Sequence, residues 1–157
     1  EFYGDSPLPD PQIIDEIIGF YFKNFDTDNY VSNAIKTTYP PGLEVSIYSS
    51  HILKNVNNLV AIDDPLREHV GFNITRFPEL YNQISIEAPR RFNFPEIYLE
   101  VDTNKDLILI QKIFSYFKSI GFETFGTAQI IEFLQNNPEL IKINNEENRR
   151  WKEFRRF

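Results

Sequence analysis

The 157-residue chain carries a formal net charge of −7, has 41% hydrophobic residues and contains no cysteine. These totals fit one domain with a substantial core, and they argue against wholesale nucleic-acid binding, disulfides, thiol chemistry and a thiolate metal site. No apolar run approaches the roughly 18 residues of a membrane span and no basic-then-apolar leader opens the chain, so a soluble, cytoplasmic protein is expected.

The chain opens on Tyr3-Gly4-Asp5-Ser6-Pro7-Leu8-Pro9, a Pro-rich loop that holds Asp5 on a stiff turn. Asp10 and Pro11 read as a cap and a first-turn proline, and the helix they open is expected to run to about Phe25. Its apolar set is Ile13, Ile14, Ile17, Ile18, Tyr21, Phe22 and Phe25, a helical spacing. Tyr30 to Asn33 reads as a short strand. Two prolines and Gly42 make Thr37 to Gly42 a rigid loop. Leu43 to Tyr48 alternates apolar and polar residues, as a half-buried strand does. Ser49 or Ser50 can cap a helix to about Val60, with Ile52, Leu53, Val56 and Leu59 inward. Asp63 or Asp64 with Pro65 repeats the cap-plus-proline start and predicts a helix through Arg67, Glu68 and His69 to about Asn73.

Further along, Gln83 to Ala88 has strand character, and Arg90 to Pro95 reads as a loop. Ile97 to Val101 reads as a strand that places Asp102 at its carboxyl end. Thr103 and Asp106 approximate a capping box for a long helix that Gly121 ends, with Leu107, Ile110, Ile113, Phe114, Phe117 and Ile120 inward. A strand-like Phe122 to Phe125 precedes a cap at Thr127 and a helix to about Gln135. Asn137-Pro138 starts one more turn. Residues 1–145 form the main unit and 146–157 a basic, aromatic tail containing Arg149, Arg150, Lys152, Arg155 and Arg156. That tail reads as an amphipathic helix with a solvated face, or as a patch for an anionic partner or a second copy.

Alternating strands and helices predict an α/β fold with a mixed or parallel sheet, in which ligands sit at the carboxyl ends of strands. Asp5 and Asp102 occupy such places. Each could be a helix cap, or the two could share a divalent cation, since Mg²⁺ takes one or two carboxylates together with substrate phosphates. His51 and His69 are the only histidines, either satisfied surface residues or catalytic ones. The sequence has no Walker loop, no dinucleotide fingerprint and no nucleophile elbow.

Read in order, Gly4-Asp5-Ser6-Pro7-Leu8, Asp10-Pro11, Tyr30-Val31-Ser32-Asn33, Thr38-Tyr39-Pro40-Pro41-Gly42-Leu43-Glu44-Val45, Arg67-Glu68-His69-Val70 and Val101-Asp102-Thr103 with Asp106-Leu107 form a series. The series resembles the cytidylyltransferase family that includes the spore coat polysaccharide biosynthesis protein F group and the synthetases of CMP-activated acidic sugars. The resemblance runs to about Asn145. It implies a nucleotide-diphosphosugar-transferase-like three-layer sandwich and a reaction in which a sugar hydroxyl attacks the α-phosphorus of CTP and pyrophosphate leaves. It also implies Mg²⁺ held by Asp5 and Asp102. The substrate wall it implies contains Asn33, Thr38, Tyr39, Gly42 and Glu44, faced by Arg67 and His69, with Arg67 suited to an acidic or phosphorylated sugar.

Two positions depart from the family pattern. Ser46 stands where a second acidic residue is common, and Tyr98-Leu99-Glu100 stands where an Arg-Trp lead-in is common. The family's N-terminal nucleotide-binding half would lie before Glu1. Methionine is absent and Glu1 does not normally follow a removed Met, so a start upstream is expected. The expectation is a C-terminal portion, an Mg-dependent nucleotidyltransferase if intact but inactive alone, with helix faces left uncovered. The alternative is a non-catalytic remnant or interaction module that pairs as a homodimer.

Overall fold

The computed structural model describes residues 1–149 and 151–154. The described part is an α/β fold around a small mixed sheet. Helix α1 (Pro11–Lys23) leads into β1 (Asn29–Ser32), β2 (Ser46–Ile47), α2 (Ser50–Leu59), α3 (Val70–Thr75) and β3 (Asn82–Ser85). A turn of 3-10 helix (Arg90–Phe92) precedes α4 (Asn104–Ser119), α5 (Thr127–Asn136), α6 (Pro138–Ile141) and α7 (Trp151–Phe154). Strand order is β2-β1-β3. β1 pairs antiparallel with β2 (Val31 opposite Ile47) and parallel with β3 (Val31 opposite Ile84).

Local chemistry explains most helix ends. The Asp10 carboxylate accepts from Gln12 N at 2.9 Å and caps α1. Its other oxygen accepts from Thr127 N at 2.8 Å, so one side chain ties the N-termini of α1 and α5 together. The predicted cap at Thr127 is therefore corrected: Gly126 is the cap position, Thr127 is the first helical residue, and the acceptor comes from Asp10. Thr103 and Asp106 form the capping box of α4. Gly121, at φ 81°, ends that helix with the Phe122 N–H bonded to Phe117 O at 2.9 Å.

Several predicted elements are shorter or absent. Of Leu43 to Tyr48 only Ser46–Ile47 is strand. The Asn33 carboxamide takes over upstream, accepting from Val45 N at 2.7 Å and donating to Leu43 O at 2.9 Å. Ile97 to Val101 joins no ladder, because its N–H groups serve two different segments: Leu99 N bonds Pro41 O at 2.7 Å and Val101 N bonds Asp5 O at 2.8 Å. Phe122 to Phe125 is not a strand either. Phe125 instead stacks on Phe117 with ring centroids 4.2 Å apart. Asp64 and Pro65 open turns rather than a helix, since the Asp64 carboxylate accepts from Leu66 N at 2.8 Å, and α3 starts only at Val70.

The main core joins Ile13, Ile17, Val31, Leu43, Leu99, Leu109, Ile113 and Leu134, and a second cluster forms around Tyr30, Ile52, Val56 and Ile74. The inward faces of two helices are narrower than expected. Leu53 and Leu59 on α2, and Leu107, Phe114 and Ile120 around α4, are exposed. Leu109 takes the inward place on α4 that the sequence suggested for Leu107. Among the described residues, no helix is long and apolar enough to cross a membrane. Arg150, Arg155, Arg156 and Phe157 of the expected tail helix lie outside the described residues.

Candidate active site

A cleft of about 370 Å³ opens between the N-terminal loop, the start of α3 and the Glu100–Thr103 segment. The hydrogen bond from Val101 N to Asp5 O joins the two segments that carry Asp5 and Asp102. Both aspartates line the cleft, together with Glu44, Glu68, His69, Glu100 and Trp151. Five carboxylates therefore share one depression, a strongly acidic surface suited to a cation.

The turn at Pro40-Pro41-Gly42 brings Glu44 in. Gly42 has φ 102°, and a Cβ there would lie 2.5 Å from both the Leu99 carbonyl carbon and the Glu100 nitrogen. Only glycine lets the turn lie this close to the Glu100 segment. Gly42 N then donates to the Glu44 carboxylate at 2.6 Å and orients it.

The other expected residues sit elsewhere. Asn33 is buried, its side chain bonded to the Leu43–Val45 backbone. Thr38 Oγ1 accepts from Ala88 N at 2.8 Å, and Tyr39 lies in the core beside Phe92. Arg67 donates to Val60 O at 2.6 Å and to Asn57 Oδ1 at 2.5 Å, in a different groove. His51 lies outside the cleft, beside Asn55. Ser46 is buried in a hydroxyl chain, 3.0 Å from Tyr30 OH and 2.8 Å from Ser32 Oγ. A carboxylate at position 46 would stand buried within that chain, so the departure from the family pattern is part of the sheet's packing.

Glu100 and Trp151, which sequence reasoning did not select for the site, complete the cleft wall, with Arg149 behind them. Glu100 is buried, and burial pushes its carboxyl from 4.5 up to about 7, aided by the nearby Glu44 and Asp102 charges and opposed by Trp151 and Arg149. Trp151 Nε1 donates to Glu100 Oε1 at 2.7 Å. Behind them Arg149, only 1% exposed, forms a two-pronged ion pair with Asp106 at 2.7 and 3.0 Å. Burial alone would raise the Asp106 carboxyl, but its bonds to Arg149, Asn144 and Thr103 hold it below the ordinary value. The one available signal was Glu100 itself, a charge inside an apolar run.

Among the described residues, no group of three or more His, Cys, Asp or Glu stands close enough to hold a metal by protein ligands alone. The donor set fits the other mode, in which two hard carboxylate oxygens act together with oxygens of a phosphate substrate.

No family model matches the chain. It is 29% identical over 136 residues to the spore coat polysaccharide biosynthesis protein SpsF of Bacillus subtilis, covering 87% of this chain and 54% of that protein. It is 32% identical over 155 residues to an uncharacterized protein of Methanocaldococcus jannaschii, covering 97% of this chain and 58% of that one. A cytidylyltransferase from Leptospira borgpetersenii serovar Hardjo-bovis superposes with a TM-score of 0.77 over 93% of this chain and 58% of that chain, at 21% identity. The chain is similar to a spore coat polysaccharide biosynthesis protein and shares the fold of a cytidylyltransferase. At that identity the solved cytidylyltransferase supports the shared fold. The chain spans a little over half the length of the curated relatives it matches.

Proposed function

We propose that these residues form the metal-carboxylate and sugar-facing part of a nucleotidyltransferase that moves CMP from CTP to a sugar hydroxyl in polysaccharide biosynthesis. The meeting of Asp5 and Asp102 in one acidic cleft carries the reading. In the reaction the sugar oxygen forms a bond to the α-phosphorus, the bond to pyrophosphate breaks, and the hydroxyl proton leaves to solvent or a base. Mg²⁺ held by Asp5 and Asp102 would neutralise charge building on the phosphoryl oxygens. Glu44, fixed by Gly42 N, and His69 face the space where the sugar would lie.

The nucleophile is a sugar hydroxyl. For the acidic sugar expected of the family, Arg67 is not the cation, because its guanidinium is committed to Val60 and Asn57. The relatives' greater length supports a triphosphate-binding part outside residues 1–157, in which case this chain alone does not turn over.

Calorimetry of the complete gene product with CTP and Mg²⁺ tests the reading. Binding heat should appear in the wild type and vanish in Asp5→Ala and Asp102→Ala. No heat in the wild type, or equal heat in all three proteins, would overturn it.

A further inference from the structure

One carboxylate binds the C-terminal segment to the loop that presents Asp102. Asp106 is fully buried, and its Oδ2 accepts from Asp102 N at 3.1 Å, Thr103 N at 2.8 Å and Thr103 Oγ1 at 2.9 Å. The same carboxylate accepts from the tail: Asn144 Nδ2 at 2.7 Å and the Arg149 guanidinium at 2.7 and 3.0 Å. Six donors thus converge on a group with about four lone-pair directions, so the tail and the loop hold one oxygen pair in place jointly.

Arg149 has two further contacts, although its buried Nε has no hydrogen-bond partner. Its guanidinium lies 4.3 Å over the Tyr98 ring and donates to Asn144 O at 3.0 Å. Past Arg149 the chain places Trp151 in the wall of the cleft, bonded to Glu100, and Lys152 Nζ reaches Tyr98 OH at 2.7 Å. These tail bonds span 38 to 54 positions of sequence and end on Tyr98, Glu100 and Asp106, the residues that bracket Asp102.

We infer that Asn144, Arg149, Trp151 and Lys152 form a strap belonging to the site, and that Arg149 is a positioning residue which, through Asp106, holds the Asp102–Thr103 turn in its presenting geometry. Its catalytic meaning rests on the Asp5–Asp102 reading above; the mechanical coupling does not. The planar fork of arginine matches both Asp106 oxygens at once, which a lysine ammonium cannot do. If the fork is removed, Asp106 keeps a buried carboxylate with two of its six donors lost. The carboxylate then protonates or turns, and the Asp102 and Thr103 N–H groups lose their acceptor.

Amide hydrogen exchange on the 157-residue chain tests this, with emission from Trp151, its only tryptophan, as a second readout. In Arg149→Lys, which keeps the charge and loses the fork, exchange at Asp102 and Thr103 should rise about tenfold or more. Trp151 emission should shift to the red as the indole leaves the wall. Arg149→Met should do the same more strongly if it folds. Lys105→Ala is the control: it removes the exposed Lys105–Glu147 pair, a tail contact that does not touch Asp106, and should leave both amides unchanged.

Binding of Mn²⁺, followed by electron paramagnetic resonance, separates this inference from the metal reading. If Asp5→Asn and Asp102→Asn leave Mn²⁺ binding as in the wild type, the metal reading fails while the exchange data still decide the strap. Unchanged exchange at Asp102 and Thr103 in Arg149→Lys, or equal rises in Arg149→Lys and Lys105→Ala, overturns the inference.

Discussion

Glu100 shows what one buried carboxyl does to this molecule. Its folded form keeps a proton up to about pH 7, against an ordinary value of 4.5, mainly because burial disfavours the charge. Between those values the folded chain binds a proton that the unfolded chain has released, so stability falls as pH rises. The group's contribution is full below the unfolded value and is lost as pH passes through the folded one. The gap corresponds to a few kcal/mol, on the order of 3. Glu100→Gln keeps an acceptor for Trp151 and removes the titration. Urea denaturation should therefore show the wild type losing roughly that much between pH 5 and pH 8 relative to Glu100→Gln. Parallel profiles for the two proteins would contradict this account of Glu100. Arg149 and Asp106 are the opposite case, a buried pair in which each charge needs the other. Truncating one partner of such a pair costs about 3–5 kcal/mol.

At the scale of elements, what could be read from the sequence was what local chemistry decides. The Asp10-Pro11 start of α1, the Thr103–Asp106 box of α4 and the Gly121 stop each depend on residues within a few positions, and all three are present. The second job of Asp10 was not legible, because its other oxygen meets a residue 117 positions away. Asp10→Ala is expected to remove an acceptor from both helix ends, and a lost cap costs about 0.5–2 kcal/mol. Urea midpoints should show a loss near twice that of a single cap, about 2–3 kcal/mol, with Asp10→Asn intermediate; a loss no larger than the roughly 1 kcal/mol of one ordinary cap would mean that the bond to Thr127 contributes nothing.

The strands read at Tyr30 to Asn33 and Gln83 to Ala88 are present as β1 and β3, whereas those read at Ile97 to Val101 and Phe122 to Phe125 are not. Alternation marks a segment that can pair, but a ladder also needs a partner, and Ile97–Val101 finds only single bonds to Pro41 and Asp5. The candidate site divides in the same way. Asp5, Asp102, Glu44 and His69 were named from ordered motifs and share the cleft. Glu100 and Trp151 join it through a contact 51 residues apart, and Arg149 backs it through one 43 residues apart, which no local pattern carries.

At the scale of the whole molecule, the described residues carry more apolar surface than their two core clusters cover. Helix α1 has two adjacent stripes. Ile13, Ile17 and Tyr21 are buried, while Ile18 and Phe22, with Phe25 just beyond the helix, repeat the helical spacing on the next face and are exposed. The sequence presents both stripes as one broad face, and the fold uses only half of it. Phe22 is 69% exposed, a large ring left in water at a position where a polar residue would cost nothing. Single exposed hydrophobic residues are ordinary, whereas a contiguous apolar row favours contact with another apolar surface. The chain should therefore bind a hydrophobic dye and sediment with a mass that rises with concentration. Phe22→Glu should reduce both effects while costing no more than about 1 kcal/mol, because the ring it replaces is mostly exposed and packs edge-on against Tyr21. A strict monomer with no dye binding, or association that Phe22→Glu leaves untouched, would show that this row is not the sticky face.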